Sequence, residues 1–349
     1  MENRYAKQFP ELMRGKKIMY VHGFGSSGRS GTVTRLRTML TGAVVTAPDL
    51  PIHPAEALAL LRRICLLEHP DLIIGTSMGG MYAEMLHGYD RILVNPAFGI
   101  ADTMAEHGLT GKQTFHSERE DGVQEFYVDK PLVKEYRDIA RENFSSVDDD
   151  ERRRVWGLFG DEDPVVHTFD VFNAYYPQAV SFHGEHRLND KTLINSVVPV
   201  IRRIDDKQEG RERPIVYISI NALIGRRHAK SPFAAVAEAI DTAEPASSAQ
   251  KAVRVLSERY TLFVVAAAPD YDSRYTSAVQ RWVREYVGVP VFGRLLFTNH
   301  KQLLYGDYLI DPDDAGGASD FTGTLIRIGD DTFKTWEEII EFFERLDGQ

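Results

Sequence analysis

Gly75-Thr76-Ser77-Met78-Gly79 constrains this chain more than any other stretch, because it dictates a strand, a sharp turn and a helix in fixed order. Leu72-Ile73-Ile74 before it is apolar and ends in two β-branched residues, and Gly80-Met81-Tyr82-Ala83-Glu84-Met85-Leu86 after it sets apolar residues at helical spacing. This is the context of the G-x-S-x-G elbow. A serine there stands on strained backbone between a strand and a helix that approach closely, and the flanking glycines make room. Ser77 is expected above the carboxyl edge of a parallel sheet, with its hydroxyl exposed.

Strand and helix signals alternate on both sides of the elbow. Lys17–Val21, Ala43–Thr46, Arg91–Pro96, Arg154–Gly160 and Ala179–Phe182 read as short buried strands. Thr32–Leu40, Pro54–Leu67, Val165–Tyr176 and Leu193–Ile204 read as helices between and after them, with Pro54 near the start of its helix. Such a βαβ rhythm predicts an α/β fold with a doubly wound parallel sheet. The polar segment between Ala101 and Glu151 interrupts the rhythm and is expected to form a small helical lid or insertion beside the site. Asp205 to Pro214 is charged, lacks apolar anchors and ends in proline, as a linker does. Ile215–Ile220 then restarts the pattern. The expected organisation is a hydrolase-like domain over residues 1–205, a linker over 206–213, and a second α/β domain over 214–349.

Composition narrows the function. A chain of 349 residues with 43% hydrophobic and 26% charged side chains can bury two ordinary cores. The net charge of −10, with no evident basic face, argues against nucleic acid as a partner. No apolar run approaches the roughly 20 residues of a membrane span, and Met1 to Lys17 is too polar for a secretory signal. Cys65 is the sole cysteine, sits among leucines and reads as a buried structural thiol. A cytoplasmic location is expected.

A serine hydroxyl needs a histidine to take its proton and a carboxylate to orient the imidazole. In a fold of this kind the chain order is serine, acid, histidine. Gly160-Asp161-Glu162-Asp163-Pro164 follows a late strand and offers Asp163 as the acid, with Asp161 as the alternative. Ser181-Phe182-His183-Gly184-Glu185-His186 follows the last strand; His186 has the G-x-H spacing, while His183 reads as structural. Val21-His22-Gly23-Phe24-Gly25 follows the first strand, where a glycine-rich turn can leave N–H groups free for a developing oxyanion. The expected donors are the amides of Phe24 and Met78, with His22 propping the loop. Such a reaction calls for no cofactor and no metal.

Tyr20–Ser27, Ile74–Ala83 and Leu93-Val94-Asn95-Pro96-Ala97 together resemble the YqiA/YcfP-like α/β-hydrolase esterases. In that family HGF-x-S-S, G-S-S-L-G-G-Y-Y-A and V-N-P-A recur in this order. The resemblance covers about residues 16–204. It implies hydrolysis of carboxylic esters or acyl thioesters, with Ser77, Asp163 and His186 as the triad.

Over residues 214–346 the chain resembles the haloacid dehalogenase superfamily, nearest its deoxyribonucleotidase-like type C branch. Thr261–Pro269 and Leu296–Asp311 carry the likeness, followed by Phe321-Thr322-Gly323 and Trp336–Ile339. Members of that family open with Asp-x-Asp; here Ser219-Ile220-Asn221 stands in its place. The phosphate-holding Ser/Thr is replaced within Ala266-Ala267-Ala268, and the late acidic pair reads Asp311-Pro312, while Lys301 and Asp311 remain. Neither Ser219 nor Asn221 supplies a carboxylate nucleophile or a hard anionic ligand for Mg²⁺. The resemblance therefore implies a pseudophosphatase module, kept for packing, for pairing with a second copy or for binding without turnover. The rival readings are a non-catalytic binding or regulatory protein and a nucleotide phosphatase acting through the C-terminal half.

Overall fold

The computed structural model describes residues 7–225, 236–268 and 273–347. Met1–Ala6, at the head of the polar N-terminal segment, and Pro269, at the end of the first dehalogenase-like block, lie outside the described residues. The chain divides into two compact units, Met1–Asp205 and Asp206–Gln349.

In the first unit, strands β1 (Lys17–Val21), β2 (Val44–Thr46), β3 (Leu72–Thr76) and β4 (Arg91–Val94) alternate with helices α1 (Gly31–Met39), α2 (Pro54–Glu68) and α3 (Met78–Glu84). The interrupting segment holds α4 (Ile100–Glu106), strands β5 (Gly111–Thr114) and β6 (Glu125–Val128), α5 (Lys130–Ala140) and α6 (Asp149–Arg154). Strands β7 (Val155–Gly160) and β8 (Ala179–Phe182) with α7 (Phe169–Asn173) complete the sheet. Its order is β2-β1-β3-β4-β7-β8, with every neighbouring pair parallel. Strands buried on both faces explain why they read as unbroken apolar runs.

The interruption is not wholly helical, as the sequence led one to expect. β5 and β6 form an antiparallel hairpin, and Glu125-Phe126-Tyr127-Val128 alternates exposed and buried side chains along β6. That period of two is short and set among charges, which hid it. The helix expected over Val165–Tyr176 is confined to Phe169–Asn173. Asp163 Oδ1 captures the Val165 and Val166 amides at 2.7 and 3.1 Å, which fixes a turn where a helix would have begun.

The last helix also differs. Asn189 closes a capping box with Thr192 at the start of α8 (Asp190–Thr192), which runs through a π turn (Leu193–Val197) into α9 (Val198–Glu209). The helix thus enters the stretch read as linker. Asp206 near its end binds Arg211 (3.0 Å) and Arg213 (2.6 Å), so the charges there act as partners rather than as a solvated tether.

The second unit has β9 (Ile215–Ser219), α10 (Ile220–Leu223), α11 (Val236–Asp241), α12 (Ala249–Leu256), β10 (Thr261–Ala266) and α13 (Ser273–Tyr286). After them come β11 (Leu295–Phe297), β12 (Tyr308–Asp311), β13 (Thr324–Arg327) and α14 (Trp336–Asp347). The sheet order is β11-β10-β9-β12-β13, again with parallel neighbours. No helix among the described residues is long and apolar enough to cross a membrane.

A buried polar network ties the interrupting segment to the elbow helix. Glu84, in α3, is fully buried and accepts from Tyr176 Oη (2.6 Å), Asn143 Nδ2 (2.9 Å) and the Phe144 amide (3.1 Å). Arg91, equally buried, donates to the carbonyls of Ala83 and Glu84 and to the Glu151 carboxylate. Cys65 lies nearby in α2; its burial pushes the thiol up to about 11, as a structural thiol requires. Removing one member of a buried charged pair leaves the other uncompensated. Arg91→Ala is therefore expected to destabilise the first unit by about 3–5 kcal/mol, measured by urea unfolding against the unaltered chain.

Candidate active site

Ser77 occupies the turn between β3 and α3 with φ 54° and ψ −122°, in the left-handed half of backbone space that a side chain rarely enters. Two glycines allow it. A Cβ on Gly79 would lie 2.0 Å from the Val21 carbonyl oxygen, and one on Gly75 would lie 2.3 Å from the Gly79 oxygen. Helix and strands meet there with no space for a methyl group, as the elbow requires. The Ser77 amide donates to Val94 O (2.9 Å), and its carbonyl accepts from Ala97 (3.0 Å) and Gly80 (2.9 Å).

Three predicted side chains come together. Ser77 Oγ lies 3.0 Å from His186 Nε2, and His186 Nδ1 lies 2.7 Å from Asp163 Oδ2. Because a carboxylate only accepts, Nδ1 carries the proton and Nε2 is the acceptor for the serine hydroxyl. The Asp163 side chain is fully buried, and that of His186 is 19% exposed. Burial alone would raise the Asp163 carboxyl. The bond from His186, together with the Val165 and Val166 amides, outweighs it and holds the group below the ordinary carboxylate range.

Asp161, the alternative acid, points elsewhere. Its Oδ1 accepts from the Gly184 amide at 3.1 Å and faces His183 Nδ1 at 3.4 Å. His183 is exposed beside Asp161 and Glu162 rather than turned toward His186. Asp161 and Glu162 are bound to Phe182 and Gly184 across the turn, so one carboxylate braces the loops while the other meets the imidazole.

The loop after β1 lies against the serine: a Cβ on Gly23 would stand 3.3 Å from that of Ser77. Neither the Phe24 nor the Met78 amide donates to another described residue. His22 props this loop. Its Nδ1 donates to Gly23 O at 2.9 Å and its Nε2 accepts from the Leu50 amide at 3.2 Å, a pattern only the neutral ring can satisfy. Burial lowers the His22 pKa and keeps it in that form.

Contacts from the interrupting segment were not legible in the sequence. The His116 amide donates to Gly25 O (2.7 Å), and Ser27 Oγ donates to Glu118 O (2.7 Å). Asp49 accepts from the amides of Gly28 and Glu120, both at 2.7 Å, bridging the two loops. The Phe24 ring meets Phe126 edge-on at 5.3 Å. Each is a long-range contact with no local signature.

In the second unit, Ser219 ends β9, Asn221 follows it in α10, Ala267 follows β10, and Asp311 ends β12. All stand at the carboxyl edge of that sheet. The buried Lys301 Nζ lies 2.6 Å from Asp311 Oδ2. Burial raises the Asp311 carboxyl, with the Lys301 bond pulling the other way.

Residues 17–192 match the profile of a family described as "Uncharacterised protein family (UPF0227)". The chain belongs to this family. A protein of Vibrio phage KVP40 named as a 5'(3')-deoxyribonucleotidase is 31% identical over 99 residues, 28% of this chain and 58% of its own length. The likeness supports the resemblance read in the C-terminal half, although the chain spans under two thirds of that relative. Among solved structures, the chain is similar to Est1E from Butyrivibrio proteoclasticus, with a TM-score of 0.38, 15% identity, and coverage of 58% of this chain and 93% of that one. A soluble variant of monoglyceride lipase from Saccharomyces cerevisiae gives a TM-score of 0.38 at 13% identity, covering 57% and 89%. The fold itself follows from the sheet order and the elbow.

The depressed Asp163 carboxyl has a measurable sign. Its stabilisation is complete above the unfolded value of roughly 3.9 and is lost as pH falls through the lower folded value. The stability advantage of the unaltered chain over Asp163→Asn should be constant from neutral pH to about pH 5 and shrink below it, read by urea unfolding across pH.

Proposed function

We propose that this protein is a serine hydrolase of carboxylic esters or acyl thioesters, acting through Ser77, His186 and Asp163. The observation that carries the reading is the unbroken hydrogen-bonded series from Ser77 Oγ to His186 (3.0 Å) and from His186 to a buried Asp163 (2.7 Å). Ser77 Oγ attacks the acyl carbon while His186 Nε2 takes its proton. Asp163 fixes the imidazole tautomer and balances the imidazolium that forms. The Phe24 and Met78 amides, uncommitted to other partners among the described residues, receive the oxyanion. Collapse expels the alcohol or thiol, which His186 protonates, and water releases the acid by the same steps in reverse order.

In this reading residues 1–205 form the hydrolase domain, 206–213 the connection and 214–349 a phosphatase-like domain without phosphatase chemistry. Support for the last part is the pairing of Lys301 with Asp311 beside Ser219 and Asn221, which provide no nucleophilic carboxylate. The full chain is expected to release no phosphate from deoxynucleoside monophosphates with Mg²⁺; turnover lost on Lys301→Ala would restore the nucleotidase reading.

The decisive variant is Ser77→Ala. It should lower p-nitrophenyl ester turnover by about 10⁶-fold with an unchanged melting temperature, and a fluorophosphonate probe should label the unaltered chain but not the variant. Retained turnover would end the proposal.

A further inference from the structure

The turn after β4, Val94 to Ala97, touches the three parts of the proposed site: Ser77, the turn that leads to Asp163 and the loop that carries His186. It brackets Ser77 through two backbone bonds, from the Ser77 amide to Val94 O and from the Ala97 amide to Ser77 O. Asn95 reaches the other two parts with its side chain. Its Oδ1 accepts from the Gly160 amide at 2.7 Å, at the head of the turn that carries Asp163. Its Nδ2 donates to both Glu185 O (3.1 Å) and His186 O (3.2 Å), the backbone of the histidine loop itself. The residue is 1% exposed, and its own amide is fixed to Leu158 O at 2.8 Å.

Asn95 also holds a costly backbone conformation, φ 44°, at a strand end. Asparagine tolerates that region better than other side-chain-bearing residues, and glycine would tolerate it with less strain. Glycine would provide none of the three bonds. A short amide is the one group that can accept from the acid turn and donate twice to the histidine loop from the same point. Aspartate has the same shape but would set a carboxylate oxygen against two carbonyl oxygens.

Resting on the hydrolase reading above, we propose that Asn95 is the positioning residue of this site: it fixes the distance between the acid turn and the histidine loop, and so the 2.7 Å contact of His186 with Asp163. It touches neither substrate nor the reacting atoms. Its effect passes through the acid–imidazole pair alone.

The test uses Asn95→Gly, which removes the three bonds without adding backbone strain, and Asn95→Asp, which keeps the shape and the acceptor. Kinetics are measured in the full chain on a p-nitrophenyl ester, with and without Asp163→Asn. Small displacements in a catalytic constellation cost about 10²-fold, so Asn95→Gly should lower kcat by that factor with KM within about twofold. In the Asp163→Asn background, where no acid–imidazole contact is left to position, the same change should cost under about threefold. Asn95→Asp should fall at least as far as Asn95→Gly. Equal losses in the two backgrounds, a loss expressed in KM alone, or an unchanged kcat would overturn the proposal. If Asn95→Gly does not fold, the same comparison with Asn95→Asp decides it. Fluorophosphonate labelling of the unaltered chain is read alongside. Absence of label at Ser77 sinks the hydrolase reading, whereas a labelled chain with an unaffected Asn95→Gly sinks this inference alone.

Discussion

The contact between Gly79 and the end of β1 governs the rest of the first unit. With a Cβ at Gly79 only 2.0 Å from the Val21 oxygen, α3 can approach the sheet as it does only because no side chain intervenes. That approach forces Ser77 through its left-handed turn and aims its hydroxyl off the sheet edge. It also brings the loop after β1 against the serine, where a Cβ on Gly23 would stand 3.3 Å from that of Ser77. The glycines cost conformational entropy. The surrounding burial, from Met81 and Tyr82 to Leu93 and Val94, offsets it.

Much of this was legible in the sequence because the constraints are local. An elbow needs its glycines within five residues, and parallel strands buried on both faces need unbroken apolar runs; both leave marks in the primary order. His186 and Asp163 could be singled out as candidates by chain order and loop position, and the fold brings them within 2.7 Å of each other. What escaped notice depends on pairs distant in sequence. Asp161 and Asp163 are near-equivalent as letters, and only the fold distinguishes the one bound to Gly184 from the one bound to His186. The β5–β6 hairpin was hidden by charges, and the end of α9 by the assumption that charged residues without apolar anchors stay extended. Asn95 was visible as part of a motif, but its three partners lie more than sixty residues away.

The second unit follows a different logic. Its five parallel strands form a second sheet, and at the carboxyl edge of that sheet Ser219 and Asn221 stand where the proposed phosphatase-like reading would need carboxylates. Lys301 and Asp311 there are buried partners of each other. A buried pair of this kind is weak evidence of net stability but strongly resists loss of one member.

The bonds between the interrupting segment and the loop after β1 make the two a single mechanical piece. His116 holds the Gly25 carbonyl, Glu118 holds Ser27, and Asp49 spans Gly28 and Glu120, all within 2.7 Å. The peptide bearing the Phe24 amide is thus clamped from outside the sheet as well as from within it by His22. If the Phe24 amide receives the oxyanion as proposed, the interrupting segment is part of what holds that donor in place, and shortening it would reach the chemistry through Gly25 and Ser27.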